Sequence, residues 1–343
     1  PMTPYLSIVV ASRNDNHGGD MLKRMCIFVN GLIYQTQQHR LPVELIIVEW
    51  NPPQNSPLLN EVLPKPPEGH QYLEIKYIVV PPQIHQTYRF ASVIPLYQMI
   101  AKNVGIRRAK ANFILCSNVD LLFSDELFAQ LSKQNLQQDC FYRANRCDIP
   151  NTIDENQSVA EQLRFAQNNM LSRNGLSAYF PHLANAHPLL TKYPPLAKYI
   201  NYAVGLKRKW FNNPMQVNLW SLDTDACGDF TLMSAETWHK IQGYPELDLY
   251  SIHIDSMGII AAAAMGYRQV VFEPNACTYH IHHQDGWASM NPIEKVHFWH
   301  KRPGIGWDIV SQCGEYLLQH KTSYNINPNN WGFADFDFDT YTF

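Results

Sequence analysis

The chain has 343 residues, 45% apolar and 17% charged, enough to bury a substantial core in one large domain or two modest ones. Its 27 Lys and Arg against 30 Asp and Glu leave a net charge of −3, so no global electrostatic case exists for a nucleic-acid or membrane-surface partner. Seven scattered cysteines without CxxC or finger spacing suggest neither a disulfide framework nor a structural zinc site, and fit free thiols in a reducing compartment.

The opening PMTPYLSIVVASRND is too short and lacks the basic flank of a signal peptide. No apolar run reaches the roughly 18 residues of a membrane-spanning helix, so a cytoplasmic location is expected. Within that opening, YLSIVVAS predicts a strand, and GGDMLKRMCIFVNGLIYQTQQHR carries apolar residues at helical spacing. PVELIIVEW reads as a second, buried strand. The Pro-rich NPPQNSPLLNEVLPKPPEGH after it is a surface connection. YLEIKYIVVP predicts a third strand, PLYQMIAKNVGIRRAKA a helix, NFILCSN a fourth strand, and Ser124-Asp125-Glu126 a helix start. Alternation of this kind predicts an α/β fold with a parallel sheet covered by helices.

The stretch from about 150 to 226 is irregular. A helix-like VAEQLRFAQNNML leads into the aromatic, Pro-punctuated AYFPHLANAHPLLTKYPPLAKYINYAVGLKRKWFNNP. Long tracts of this type in compact enzymes are lids or substrate-facing insertions more often than plain connections; a layer packed over the sheet is the other reading. CGDFTLMS then predicts a strand and AETWHKIQG a short helix. SIHIDSMGIIAAAAMG is a very apolar helix with its polar residues confined to the start, so it should be buried on most sides. YRQVVFEP and ACTYHIHH follow as strands, and the tail NNWGFADFDFDTYTF has no clear period.

Sites in open α/β sheets lie at the carboxyl ends of strands. Strand one ends in Ser12-Arg13-Asn14-Asp15, strand two in Glu49-Trp50-Asn51 and strand four in Ser117-Asn118-Val119-Asp120. Each alone is an ordinary loop start. Carboxylates at all three are expected to converge on one crevice.

In order and spacing, LSIVVASRND, LIIVEWN and AKNVGIRRAKANFILCSNVD resemble the GT-A glycosyltransferases, whose first half is a Rossmann-like sheet that binds a nucleotide sugar. The resemblance implies a single GT-A catalytic domain over residues 1–343. Its parts are a nucleotide-binding half (1–125), a lid-like connecting region (126–226), an acceptor half (227–290) and a C-terminal extension (291–343). It implies a nucleotide-sugar site of Ser12, Arg13, Asp15, Glu49, Asn103, Asn118 and Asp120. Glu49 would lie near the base or ribose, and Asp120, the second acid of a DxD-like motif, on a divalent ion bridging the diphosphate. The sequence departs from the motif at Asn118, which stands where an Asp is usual and brings no negative charge. CGDFTLMSAETWHKIQGYPE resembles the acceptor segment of galactosyltransferase-type members, which implies Gly228, Asp229 and Trp238 in the acceptor and sugar subsite. By the same resemblance Asp255 in SIHIDSM is the catalytic base, and His282 in CTYHIHHQD is a metal ligand. His280 is its alternative, since a strand sends 280 and 282 to one face.

Elementary chemistry is compatible with this assignment. Carboxylate, imidazole and phosphate ligands suit Mn or Mg, with imidazole favouring Mn. An acceptor hydroxyl needs a carboxylate to take its proton. Asp255 at a helix start is kept ionised by the helix dipole, and direct displacement inverts the anomeric centre. Plainer readings stand beside these. Asp255 and Asp229 serve as a helix-terminus residue and a turn cap; Trp220 and Trp238 are core residues rather than sugar-stacking faces; GLKRKW is a solvated basic turn rather than a phosphate site. Either Arg143 or Arg146 reaches a diphosphate or an anionic sugar. The expected activity is transfer from a UDP sugar to a hydroxyl of a glycan or glycoconjugate. A sugar nucleotidyltransferase and a non-catalytic glycan-binding homologue are the alternatives, and Asn118 favours the latter.

Overall fold

The computed structural model describes residues 2–173, 219–283, 293 and 302–343. Of the region expected to be lid-like, residues 174–218, GLKRKW among them, and the Trp220 side chain lie outside the described residues. Strands β1 (Leu6–Ser12) and β2 (Val43–Trp50) are buried along their whole length, which is why both read as continuous apolar runs. They are joined by α1 (Met21–His39), which ends at Arg40 in the left-handed region. After β2 come the short helix α2 (Leu59–Val62), β3 (Leu73–Val80), the single turn α3 (Pro82–His85), α4 (Gln98–Arg108) and β4 (Phe113–Ser117). Then follow β5 (Leu121–Phe123), α5 (Asp125–Leu131), β6 (Cys140–Arg143), β7 (Asn145–Ile149), α6 (Val159–Asn168) and β8 (Ser172–Arg173). Ser124 caps α5, its hydroxyl accepting from Leu127 N–H, as the Ser-Asp-Glu signal requires. The remaining elements are β9 (Phe230–Ser234), α7 (Ala235–Lys240), α8 (Asp255–Ala264), β10 (Arg268–Val271), β11 (Cys277–Ile281), α9 (Trp307–His320) and β12 (Asp339–Thr342).

Among the described residues the strands form two sheets. The larger has the order β10-β6-β9-β4-β1-β2-β3-β12, with the first four βα strands parallel to one another and β9 and β12 antiparallel to their neighbours. This is the α/β architecture that the alternating pattern predicts. One face is covered by α4, α7, α8 and Trp331; the other by α1 and α5. From Ser256 to Ala264, α8 is buried, in keeping with its composition. The smaller sheet, β5-β11-β7-β8, turns Leu122, Cys147, Ile149, Tyr279 and Ile281 into a third core with α6 and Ile27 of α1. Its alternation leaves Arg146, Asp148 and His280 on the opposite face.

Strands β5, β7, β8 and β12 and helices α2, α3 and α9 are additions to the expected elements, and α2 is a single helical turn inside the Pro-rich connection, between its prolines. The tail has a fixed place: β12 pairs antiparallel with β3, and Arg108 donates to the carbonyls of Gly332, Phe333 and Phe336. Among the described residues no helix is long and apolar enough to cross a membrane. The seven cysteines are free thiols.

Candidate functional site

Register builds the site. In the antiparallel β5–β11 pair Leu121 faces His280, and in the parallel β7–β11 pair Asp148 faces His280. Asp120, one residue before β5, therefore meets β11: its carbonyl accepts from Ile281 N–H at 3.0 Å. Its carboxylate Oδ2 lies 3.4 Å from His280 Nε2 and 3.3 Å from His283 Nε2. Asp120, His280 and His283 thus form a cluster whose ligand atoms lie within 4.8 Å of one another.

The cluster fits a divalent cation by the chemistry of its donors. His280 Nδ1 lies 2.8 Å from Asp148 Oδ1, which turns Nε2 toward Asp120 in the orientation a carboxylate-supported metal ligand needs. Asp120 Oδ1 and His283 Nδ1 are buried without hydrogen-bond partners among the described residues. Gly18, at φ 73°, makes room for His283: a Cβ there would lie 2.9 Å from Nδ1. Burial and Arg146 push the His280 pKa down, but Asp120 and Asp148 outweigh them and raise it to about 9. Burial opposes ionisation of Asp120, but His280 and His283 hold it well below the usual carboxylate range. Arg24 Nη1 is a further positive neighbour, 3.4 Å from Asp120 Oδ2.

The structure does not bring His282 into this cluster. Strand β11 ends at Ile281, so the alternation that pairs 280 with 282 stops there. His282 is exposed, its N–H bonded to Ile149 O, and His283 returns toward Asp120.

A second group of polar side chains adjoins the first through Asn118. Its Nδ2 donates to Asp229 Oδ1 at 2.7 Å, and its Oδ1 accepts from Gln98 Nε2 and Lys102 Nζ, each at 3.0 Å. Asp229 Oδ2 lies 3.4 Å from Arg146 Nη1. Asp255, first residue of α8, accepts from Gly228 N–H at 2.7 Å through Oδ2 and from Ser256 N–H through Oδ1. Burial raises its pKa against the pull of the Gly228 N–H, Lys102 and Arg143. A Cβ at Gly228 would stand 3.2 Å from Asp255 Oδ2 and 3.4 Å from Asn118 Nδ2, so glycine keeps these two groups close. Ala226 and His253, flanking this contact, both adopt left-handed backbone at φ 50° and 71°.

Four other expected residues point elsewhere. The two-residue period of β1 and β2 sends Ser12 and Glu49 to the α1 side of the sheet. There Ser12 Oγ meets Met25 Sδ, and Glu49 Oε2 accepts from Leu59 N–H at 2.9 Å beneath the Pro-rich connection. Asn103 is fully buried and bonded to the N–H and the carbonyl of Tyr244, a tie between α4 and the segment after α7. Trp238 is fully buried, donating to Ile114 O at 3.0 Å, so it is core rather than a sugar-stacking face. Arg13 and Asp15 pair at 2.8 Å, and Arg13 also donates to Asn51 O, joining the loops after β1 and β2. Of the two arginines, Arg143 is spent on the carbonyls of Asp223 and Asp225, whereas Arg146 stands in the site with Asp148, Asp229 and His280. His283 is the third histidine of the run, behind His282 and His280 in the expected metal set, and Lys102 and Asp148 have no place in the expected sets. The alternation Arg146-Cys147-Asp148-Ile149 is the signal that a one-sided strand carries the last.

A cavity of about 150 Å³ opens beside His283, lined in part by Gly18, Gly19, Lys23, Arg24 and Asn151. A larger one of about 530 Å³ lies away from these residues, between α1, the 67–70 turn and the start of α6.

No protein-family model matches the chain, and no curated protein sequence does so either. Among solved structures, one similar chain is GalNAc-T7, crystallised with UDP, GalNAc and Mn2+. It is 13% identical with a TM-score of 0.46 over 94% of this chain and 55% of that one. The present chain therefore spans about half the length of that protein. Another is an active-site mutant of LgtC, 9% identical with a TM-score of 0.34 over 89% of this chain and 99% of that one.

Proposed function

We propose that the chain transfers a sugar from a nucleotide-diphosphate donor, a UDP sugar, to a hydroxyl of a glycan or glycoconjugate. The observation that carries this reading is the closure of one carboxylate–imidazole cluster, Asp120, His280 and His283, joined through Asn118 to a second layer of acids. Asp120, His280 and His283 would hold Mn2+ or Mg2+, which when bound neutralises charge growing on a departing diphosphate. Lys23 and Arg24, on the adjoining cavity, add positive charge for the phosphates. Asp255 takes the proton of the acceptor hydroxyl as the new bond to the anomeric carbon forms and the bond to the diphosphate breaks. Burial raises its proton affinity, which suits a base. Attack opposite the leaving group inverts the anomeric centre.

Incubation with a panel of UDP sugars, with Mn2+ or with EDTA, is expected to release UDP only with the metal. In Asp255→Asn the donor should still bind, measured by calorimetry, while UDP release falls about 100-fold or more. Retained turnover in that variant, or a product of retained anomeric configuration, contradicts the base assignment. Exchange of pyrophosphate with a nucleoside triphosphate would support the nucleotidyltransferase reading instead.

A further inference from the structure

Lys102 lies in the middle of α4 with no exposed surface. A buried ammonium is costly unless hydrogen bonds and charges meet it. Here Nζ donates to Asn118 Oδ1 and to the carbonyl of Gly228, each at 3.0 Å. Those adjacent acceptors lead to different acids of the site. Asn118 precedes the metal-cluster acid Asp120 and holds Asp229 through Nδ2; Gly228 holds Asp255 through its N–H. One ammonium is therefore linked, through one residue on each side, to both acids of the second layer. Burial pulls its pKa down, while Cys116, Asp255, Asp229 and Asp120 pull it up.

We propose that Lys102 is a positioning residue for the transfer reaction: it fixes the Asn118 amide and the Gly228 carbonyl, and through them aligns Asp229 and Asp255. The inference rests on the transferase reading above. It also accounts for the amide in the DxD-like motif. A side chain that faces an ammonium and a carboxylate at once must accept from one and donate to the other. Asn does both; a carboxylate would meet Asp229 at hydrogen-bond distance with no proton between them. Asn118→Asp, although it completes the motif, should lower turnover rather than raise it.

The test compares Lys102→Met, Asn118→Ala and the double variant with the wild-type chain. Readouts are melting temperature, binding of Mn2+ with UDP by calorimetry, kcat and donor KM. Met is of similar length but leaves the Gly228 carbonyl without its Lys102 hydrogen bond, so the melting temperature should fall, while the Mn2+–UDP affinity of the folded variant should hold within about threefold. Misplacement of the acids should lower kcat about 100-fold with donor KM nearly unchanged. The double variant should lose no more than the worse single one, since both act on one network. Additive losses, or wild-type kcat in Lys102→Met, overturn the inference. If Lys102→Met does not fold, Asn118→Asp carries the test: kcat should fall at least about tenfold without tighter metal binding, and a gain in either overturns it. A wild-type chain that neither transfers nor hydrolyses UDP sugars overturns the transferase reading and this inference with it. Wild-type turnover untouched by these substitutions overturns the inference alone.

Discussion

At the scale of single residues, the parity of a strand decides which acids reach the crevice. Leu45, Ile47 and Glu49 share one face of β2, so Glu49 follows the core and not the site. Burial raises its pKa to about 7 against the opposing Leu59 N–H. The folded state then holds a proton that the unfolded state releases at the ordinary carboxylate value. Stability is greatest below that value and falls as pH rises toward 7. The shift corresponds to about 3 kcal/mol at most. Glu49→Gln keeps an acceptor for Leu59 N–H and removes the ionisation. Its melting temperature should match the wild type at pH 4.5 and exceed it at pH 8; a lower value at pH 8 would mean that the carboxylate is stabilised by a cation. That strand-end acids exist is legible in the sequence, and their direction follows once the strand bounds are known. The placement of Lys102 is not legible, because a lysine within a helix buried from Met99 to Ile106 looks the same as a surface one until its partners are seen.

At the scale of elements, α4 shows how a motif can carry structure beside function. Asn103, next to Lys102, satisfies both backbone groups of Tyr244 and meets Glu246. Asn103→Ala leaves the Tyr244 N–H buried and unpaired and its carbonyl with Asn327 alone, and should cost roughly 1–3 kcal/mol in denaturant unfolding. A loss within error would show that the segment after α7 is held by other contacts, such as Asn327 Nδ2 to Tyr244 O. The βα units of the first half are legible because β1, β2 and β4 are runs buried on both faces, and β3 is so over its second half. Helix α9, absent from the expected elements, does carry a local signal, with Val310, Gly314 and Leu317 buried at helical spacing and Gly314 packed on Ile260 of α8. Strand β12 carries none: all four of its residues are exposed, and its pairing with β3 is a long-range contact that no local period encodes.

At the scale of the molecule, the candidate metal cluster exists because two sheets meet at the end of β4. The chain leaves the large sheet after Ser117, turns through Asn118 and Asp120, and enters the small sheet as β5, which brings β11 and β7 alongside. The sequence contained both halves, the acid run and the histidine run, but the choice among 280, 282 and 283 depended on where β11 stops. Calorimetric titration of Mn2+ in the presence of UDP therefore tests the central claim most directly, on the wild type, His282→Ala and His283→Ala. The geometry predicts wild-type affinity within about threefold for His282→Ala and a loss of at least about tenfold for His283→Ala. Loss in His282→Ala with retention in His283→Ala would contradict it.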